Sequence, residues 1–105
     1  MKVFLTGGMG FIGSYIAVEL LANGDEVTIL ARNPQKVRRF LDTPGINVLE
    51  GGLDDLGIIA KALDGMDACI HNALYWGDSP TKMLLNDTRA SVGVFEAAAK
   101  AGVKH

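Results

Sequence analysis

Cysteine occurs once in the 105 residues, as Cys69, and histidine only twice, as His71 and His105. A single cysteine excludes a disulfide within the chain and fits a cytoplasmic setting. One cysteine and two histidines supply no metal-ligand constellation. Cys69 lies inside an apolar run, so it is expected in the core rather than as a reactive thiol. Charge of one sign is also missing. Ten basic residues stand against twelve acidic ones, a formal net charge of −2. That balance gives no basis for nucleic acid or an anionic membrane as a partner. No apolar run approaches the ~20 residues of a membrane-spanning helix. The start does not read as a signal peptide either. Glycines at positions 7, 8, 10 and 13 interrupt the apolar stretch, and no small-residue cleavage pattern ends it. Internal repeats, linkers and low-complexity segments are absent apart from Ala97-Ala98-Ala99, which suits a helix.

What is present is enough apolar material for a real core: 49% of the residues are hydrophobic. The chain is one domain's worth or slightly less. Near its start the apolar run Val3-Phe4-Leu5 leads into Thr6-Gly7-Gly8-Met9-Gly10-Phe11-Ile12-Gly13. A buried-strand pattern thus enters a glycine-rich turn that opens onto an apolar helical pattern. This arrangement brings a pyrophosphate onto a helix N-terminus. Gly7 lets the chain turn sharply off the strand. Gly10 carries no side chain, so a diphosphate can approach the backbone. Gly13 lets the helix lie close to the first strand. The spacing is G-x-x-G-x-x-G, in the strand-turn-helix context that such a site needs. The plain alternative is a tight strand-helix connection without a ligand.

Strand and helix patterns then alternate. Lys2 to Leu5 reads as a strand and Phe11 to Ala22 as a helix, with Ile12, Ile16 and Leu20 as its inner face. Asn23-Gly24 ends this helix, with Gly24 as a left-handed cap. Glu26 to Leu30 is a second strand. Asn33-Pro34 begins a short helix that runs to about Leu41. Thr43-Pro44-Gly45 is a turn, and Ile46 to Leu49 a third strand. Asp54 or Asp55 caps a helix carrying Leu56, Ile59, Ala60 and Leu63. Asp67 to His71 is a fourth strand. A loop with Tyr75 and Trp76 leads into a helix from Pro80 or Thr81 to Ala101, with Leu85, Val92, Phe95 and Ala99 inward and Gly102 at its end. This alternation predicts an α/β fold with right-handed crossovers, helices on both faces and a parallel sheet of order 3-2-1-4. A ligand should cross the carboxyl ends of the strands where the order reverses.

The glycine motif closely resembles that of the extended short-chain dehydrogenase/reductase family: nucleotide-sugar epimerases, dehydratases and reductases. Gly51-Gly52-Leu53-Asp54-Asp55 is similar to the family's Gly-Asp-Leu-x-Asp motif after the third strand. Asp67-Ala68-Cys69-Ile70-His71-Asn72-Ala73 resembles its fourth strand. Glu96 to Lys104 resembles the end of its fourth helix. The resemblance covers residues 1–105 and implies a Rossmann-type doubly wound sheet, a single partial dinucleotide-binding domain truncated before the fifth strand. It implies a cofactor held by Gly7, Gly10, Phe11, Ile12, Gly13, Arg32, Leu53, Asn72 and Ala73.

Three departures qualify this. The family's aspartate that contacts adenine is Gly52 here, so that contact is absent or replaced, although the Leu53 backbone can still line the adenine site. The Asn-x-x-Gly-Thr motif of the fourth helix is eroded to Asp87, Ala90 and Ser91, with Asn86 one residue early. The catalytic Tyr-x-x-x-Lys of the family has no counterpart, since Tyr15 is followed four residues later by Glu19 and Tyr75 by Ser79. No catalytic residue is therefore assigned, and no metal.

Family members that prefer NAD carry a carboxylate at the end of the second strand. Here that end reads Leu30-Ala31-Arg32-Asn33-Pro34. A guanidinium matches phosphate geometry, so Arg32 favours NADP over NAD, with Lys36 adding charge. Alternatively, Arg32 is a solvated loop cation and either cofactor is accepted. Two functions stay open. One is the NAD(P)-binding portion of an epimerase, dehydratase or reductase that moves hydride on a sugar-nucleotide or other carbonyl or alcohol substrate. The other is a non-catalytic NADP(H)-binding or redox-sensing module. His71 is expected either beside the cofactor or as a hydrogen-bonded strand end. An open fourth-strand edge predicts self-association.

Overall fold

The three residues that open the chain's first apolar run are shut off from solvent: Val3 is 1% exposed, Phe4 and Leu5 0%. They lie on β1 (Lys2–Thr6) at the centre of the sheet in a computed structural model that describes residues 1–8, 10–32, 43–73 and 79–105. β2 (Glu26–Ala31), β3 (Ile46–Glu50) and β4 (Ala68–His71) complete it. The order is β3-β2-β1-β4, all parallel. Thr6 pairs with Leu30 on one side and His71 on the other, and Leu30 with Leu49. The carboxyl ends of all four strands are therefore level, and the turns that follow them share one edge. The expected order and strand direction are observed.

Alternate residues of β1 feed two cores. Leu5 joins Ala17, Val27, Ile29 and Ile46 beneath α1 (Phe11–Ala22). Phe4 joins Leu30, Leu53, Ile59, Leu63, Ala90 and Val94 beneath α2 (Leu56–Leu63) and α3 (Pro80–Ala101). Burying each large apolar side chain contributes about 1.5–3 kcal/mol. Gly24 ends α1 at φ +83° and Gly102 ends α3 at φ +77°, as their cap positions require. Ser79 caps α3 by accepting the Lys82 N–H at 3.2 Å, with Pro80 at the first helical position.

Several expected details differ. The buried face of α1 is Gly13, Ser14 and Ala17, whereas Ile12 is 64% exposed and Ile16 and Leu20 only partly buried. In α3, Ala90 and Val94 are buried, while Leu85, Val92, Phe95 and Ala99 are exposed. At Gly13 the helix α1 comes so close to the turn after β1 that no side chain fits, and small residues fill its buried face; α3 buries Ala90 and Val94 in the cluster it shares with α2. Asp55 occupies the cap position of α2 but makes no cap bond. Its carboxylate turns back to accept the N–H of buried Gly52 at 2.8 Å. Cys69 is half-buried rather than central, and burial pushes its thiol pKa up. The Cys69 N–H donates to the His105 carbonyl at 2.9 Å, so the chain's own last residue covers part of β4. The expected 33–41 helix, Lys36, Tyr75 and Trp76 lie outside the described residues. Among the described residues no helix is long and apolar enough to cross a membrane, and no cluster of potential metal ligands occurs.

Candidate functional site: a glycine turn at the carboxyl edge

Every expected site residue follows the end of a strand or opens α1. Gly7 leaves β1, Arg32 leaves β2, Leu53 lies beyond β3, and Asn72 and Ala73 leave β4. The level strand ends bring them to one edge of the sheet.

Three glycines shape the turn for different physical reasons. Gly7 adopts φ +72°, in the left-handed region. It also presses on the exit of β4, because a Cβ there would stand 2.8 Å from the Ala73 nitrogen and the Asn72 carbonyl. Gly13 faces the turn more than the strand. A Cβ on Gly13 would lie 1.8 Å from the Gly7 oxygen. Gly10 has open space, with the Gly7 oxygen 3.6 Å from its Cβ position as the nearest atom. It is the N-cap of α1 and has no side chain to offer. Among the described residues, no side chain accepts from the first-turn N–H groups of Phe11, Ile12 and Gly13. The positive end of the α1 dipole thus meets an exposed glycine. Phe11 (79% exposed) and Ile12 stand beside it, and the Phe11 ring meets Tyr15 edge-on at 5.2 Å.

Behind the turn lies a polar knot in which His71 is a hydrogen-bonded strand end, one of its two expected roles, with Thr6 and Ser91 as partners not foreseen. Thr6 is fully buried. Its hydroxyl oxygen accepts from the Asn72 N–H at 3.1 Å and the Ala73 N–H at 3.2 Å, and lies 2.7 Å from His71 Nδ1. His71 Nε2 lies 2.9 Å from Ser91 Oγ on α3. The Phe95 ring packs edge-on against the imidazole at 5.6 Å. Burial lowers the His71 pKa from its ordinary value, and the Asp87 charge opposes that shift in part. The readable signal was Thr6 itself, a hydroxyl ending an otherwise apolar strand.

Arg32 extends over the β3–α2 turn. Its Nη2 lies 4.0 Å from Asp54 Oδ1, with both side chains about two-thirds exposed. A Cβ on Gly52 would meet Arg32 Nε at 3.1 Å and Asp54 Oδ1 at 2.7 Å. Gly52 therefore leaves the space that the guanidinium occupies. Leu53 is 8% exposed and belongs to the core. Its margin lines a cavity of about 240 Å³ together with Asp54, Leu56, Asn86, Arg89 and Ala90.

Comparison with known proteins agrees with this geometry. UDP-glucose 4-epimerase of Lactobacillus helveticus is 30% identical over 112 residues, covering 100% of this chain and 34% of that protein. Sterol-4-alpha-carboxylate 3-dehydrogenase, decarboxylating, of Dictyostelium discoideum is 39% identical over 72 residues, covering 69% and 22%. The structure of the dTDP-glucose 4,6-dehydratase DesIV from Streptomyces venezuelae, solved with NAD bound, matches with a TM-score of 0.82 and 27% identity, covering 98% of this chain and 37% of that one. The chain thus spans only between about a fifth and just over a third of these relatives. Its strand order and flanking helices are those of the Rossmann-like dehydrogenase/reductase fold that these neighbours share. A family model described as NAD(P)H-binding matches residues 7–105. That match begins on the first glycine of the turn and continues to the last residue, and the chain belongs to the NAD(P)H-binding family.

Proposed function

We propose that this chain is the cofactor-binding portion of an epimerase, dehydratase or reductase, and that it prefers NADP(H). The observation that carries the reading is the bare glycine turn on the carboxyl edge of the sheet. Gly10 offers a cradle that a side chain would fill, in front of helix N–H groups aimed outward. Gly7, Gly10, Phe11, Ile12 and Gly13 would hold the diphosphate. The cavity beside Leu53 would take the adenine, and Asn72 and Ala73 would flank the ribose. When bound, the cofactor supplies or accepts the hydride. This chain's residues would orient it; these 105 positions hold no Tyr-x-x-x-Lys to serve as general acid or base. The names of the epimerase and dehydratase relatives favour a sugar-nucleotide substrate class.

The NADP(H) preference rests on Arg32. No carboxylate follows β2 at that point, and Gly52 leaves room for the guanidinium. Titration with NADPH and NADH, followed by nicotinamide fluorescence, tests both levels. Tighter NADPH binding is expected. Tighter NADH binding overturns the preference, and no binding of either overturns the site. The eroded fourth-helix motif and the missing tyrosine–lysine pair favour a second reading, a non-catalytic binding or sensing module. A downstream Tyr-x-x-x-Lys in the parent gene would exclude it.

A further inference from the structure

The environment of His71 fixes which nitrogen carries its proton. A threonine hydroxyl has one donor and two acceptor sites. Both acceptor sites of Thr6 Oγ1 are used by the Asn72 and Ala73 N–H groups, the Asn72 N–H being shared with the Thr6 carbonyl at 3.3 Å. Its own proton must therefore go to His71 Nδ1, 2.7 Å away. Nδ1 is then an acceptor, and the ring proton sits on Nε2 and is donated to Ser91 Oγ. Thr6 is fully buried, so its hydroxyl has no water to turn to, whereas His71 and Ser91 are only partly buried. The same Asn72 and Ala73 backbone also lies directly against Gly7.

We infer that His71 is a positioning residue for the dinucleotide turn, holding Thr6, Asn72 and Ala73 in place while neutral and releasing them when protonated. A proton on Nδ1 gives the ring two donors and no acceptor. The Thr6 hydroxyl then faces three donors with two lone pairs, and at least one bond to it breaks. The loosened segment is the backbone on which Gly7 rests. Cofactor affinity therefore falls as the pH drops. The groups facing the ring are few among the described residues. Asp87 on α3 favours protonation, Ser91 and Phe95 on the same helix are uncharged, and Thr6 is the only polar side chain from β1. Cys69, two residues earlier on β4, keeps its proton because burial raises its pKa.

This inference rests on the turn binding a dinucleotide, and the experiment separates the two. Dissociation constants of the 105-residue chain for NAD⁺ and NADP⁺ are measured by calorimetry from pH 8 to pH 5. Losing one hydrogen bond behind the turn predicts roughly five-fold weaker binding at the low end. His71→Asn keeps an acceptor for the Thr6 hydroxyl but gives up the Nε2 bond to Ser91 Oγ and cannot titrate. It should bind more weakly than wild type and more tightly than His71→Ala at pH 8, and its affinity should not change between pH 8 and pH 5. His71→Ala should bind weakly throughout, with its melting temperature at pH 8 reporting whether it folds. The 2′-phosphate of NADP⁺ titrates near pH 6 by itself (about the usual second phosphate pKa). A step with NADP⁺ alone, or one that persists in His71→Asn, overturns the inference. Failure to bind either cofactor at any pH overturns the binding-site reading instead.

Discussion

Replacing Gly13 by alanine sets local propensity directly against packing. Alanine is the better helix former by about 1 kcal/mol, so at an open site in α1 the change would stabilise. At Gly13 the new methyl lies 1.8 Å from the Gly7 oxygen, 2.6 Å from its carbonyl carbon and 2.8 Å from the Gly8 Cα. Real Cβ atoms essentially never come under 3.0 Å, so turn and helix must separate by more than an ångström. The turn has nowhere to retreat. Gly7 is already backed against Asn72 and Ala73, and a Cβ on Gly8 would strike the Ile29 side chain at 2.9 Å. Overpacking of this kind costs about 1–3 kcal/mol. After the helix gain, the net loss is up to about 2 kcal/mol, a fall in melting temperature of up to roughly 15 °C for a domain of this size. With the diphosphate held as proposed, moving the turn would break a charge-assisted bond to phosphate, about 1.5–3 kcal/mol, and NADPH should bind roughly ten- to a hundred-fold more weakly. The control is Gly10→Ala. Its methyl meets nothing closer than 3.6 Å, and an N-cap alanine costs less than about 1 kcal/mol relative to glycine. It should melt within a few degrees of wild type yet bind NADPH poorly. Thermal melts and fluorescence titration of both variants read out the pair. A Gly13→Ala protein with wild-type melting and wild-type affinity would refute the packing argument.

Three other outcomes are expected. Gly52→Asp places a carboxylate against Arg32 and Asp54, displaces the guanidinium, and should move the ratio of NADPH to NADH dissociation constants toward NADH. An unchanged ratio would remove Arg32 from the specificity argument. Thr6→Val keeps the shape but strips the bonds from Asn72, Ala73 and His71, costing about 1–3 kcal/mol in urea denaturation, while Thr6→Ser recovers most of it. Because the folded-state pKa of His71 is lowered, the unfolded chain binds the proton first as pH falls. The stability from neutral His71 is present above about pH 6.5 and lost as pH drops through the folded pKa. Stability curves of wild type and His71→Asn should diverge in that window, and parallel curves would contradict the linkage.

The fold was legible because alternating patterns of the right length allow few arrangements. Short apolar runs at Val3, Val27, Val48 and Ile70, each followed by a turn or helix signal, lead to a parallel sheet with its first strand inside. The glycine turn was legible because its three positions have separate steric demands. The helix faces were not. α1 is apolar nearly all the way round, with Phe11, Ile12, Tyr15 and Val18 all exposed, so periodicity gave it no direction. Burial there was decided by how closely a backbone can approach, which selects Gly13 and Ala17 over Ile12. In α3 the buried residues are Ala90 and Val94, which face the cluster shared with α2, while Phe95 is exposed. The Thr6–His71–Ser91 chain was illegible for another reason. Its members are 65 and 20 positions apart, and no local pattern links them until the sheet sets β1 beside β4.

That separation also orders events during synthesis. The glycine turn leaves the ribosome some sixty-five residues before Asn72 and Ala73, the backbone it rests on. A nascent chain holding only β1, α1 and β2 has the glycines without their backing. The part of the site made first is thus the last to take its final shape, so a cofactor present during translation can capture the fold only after β4 has docked.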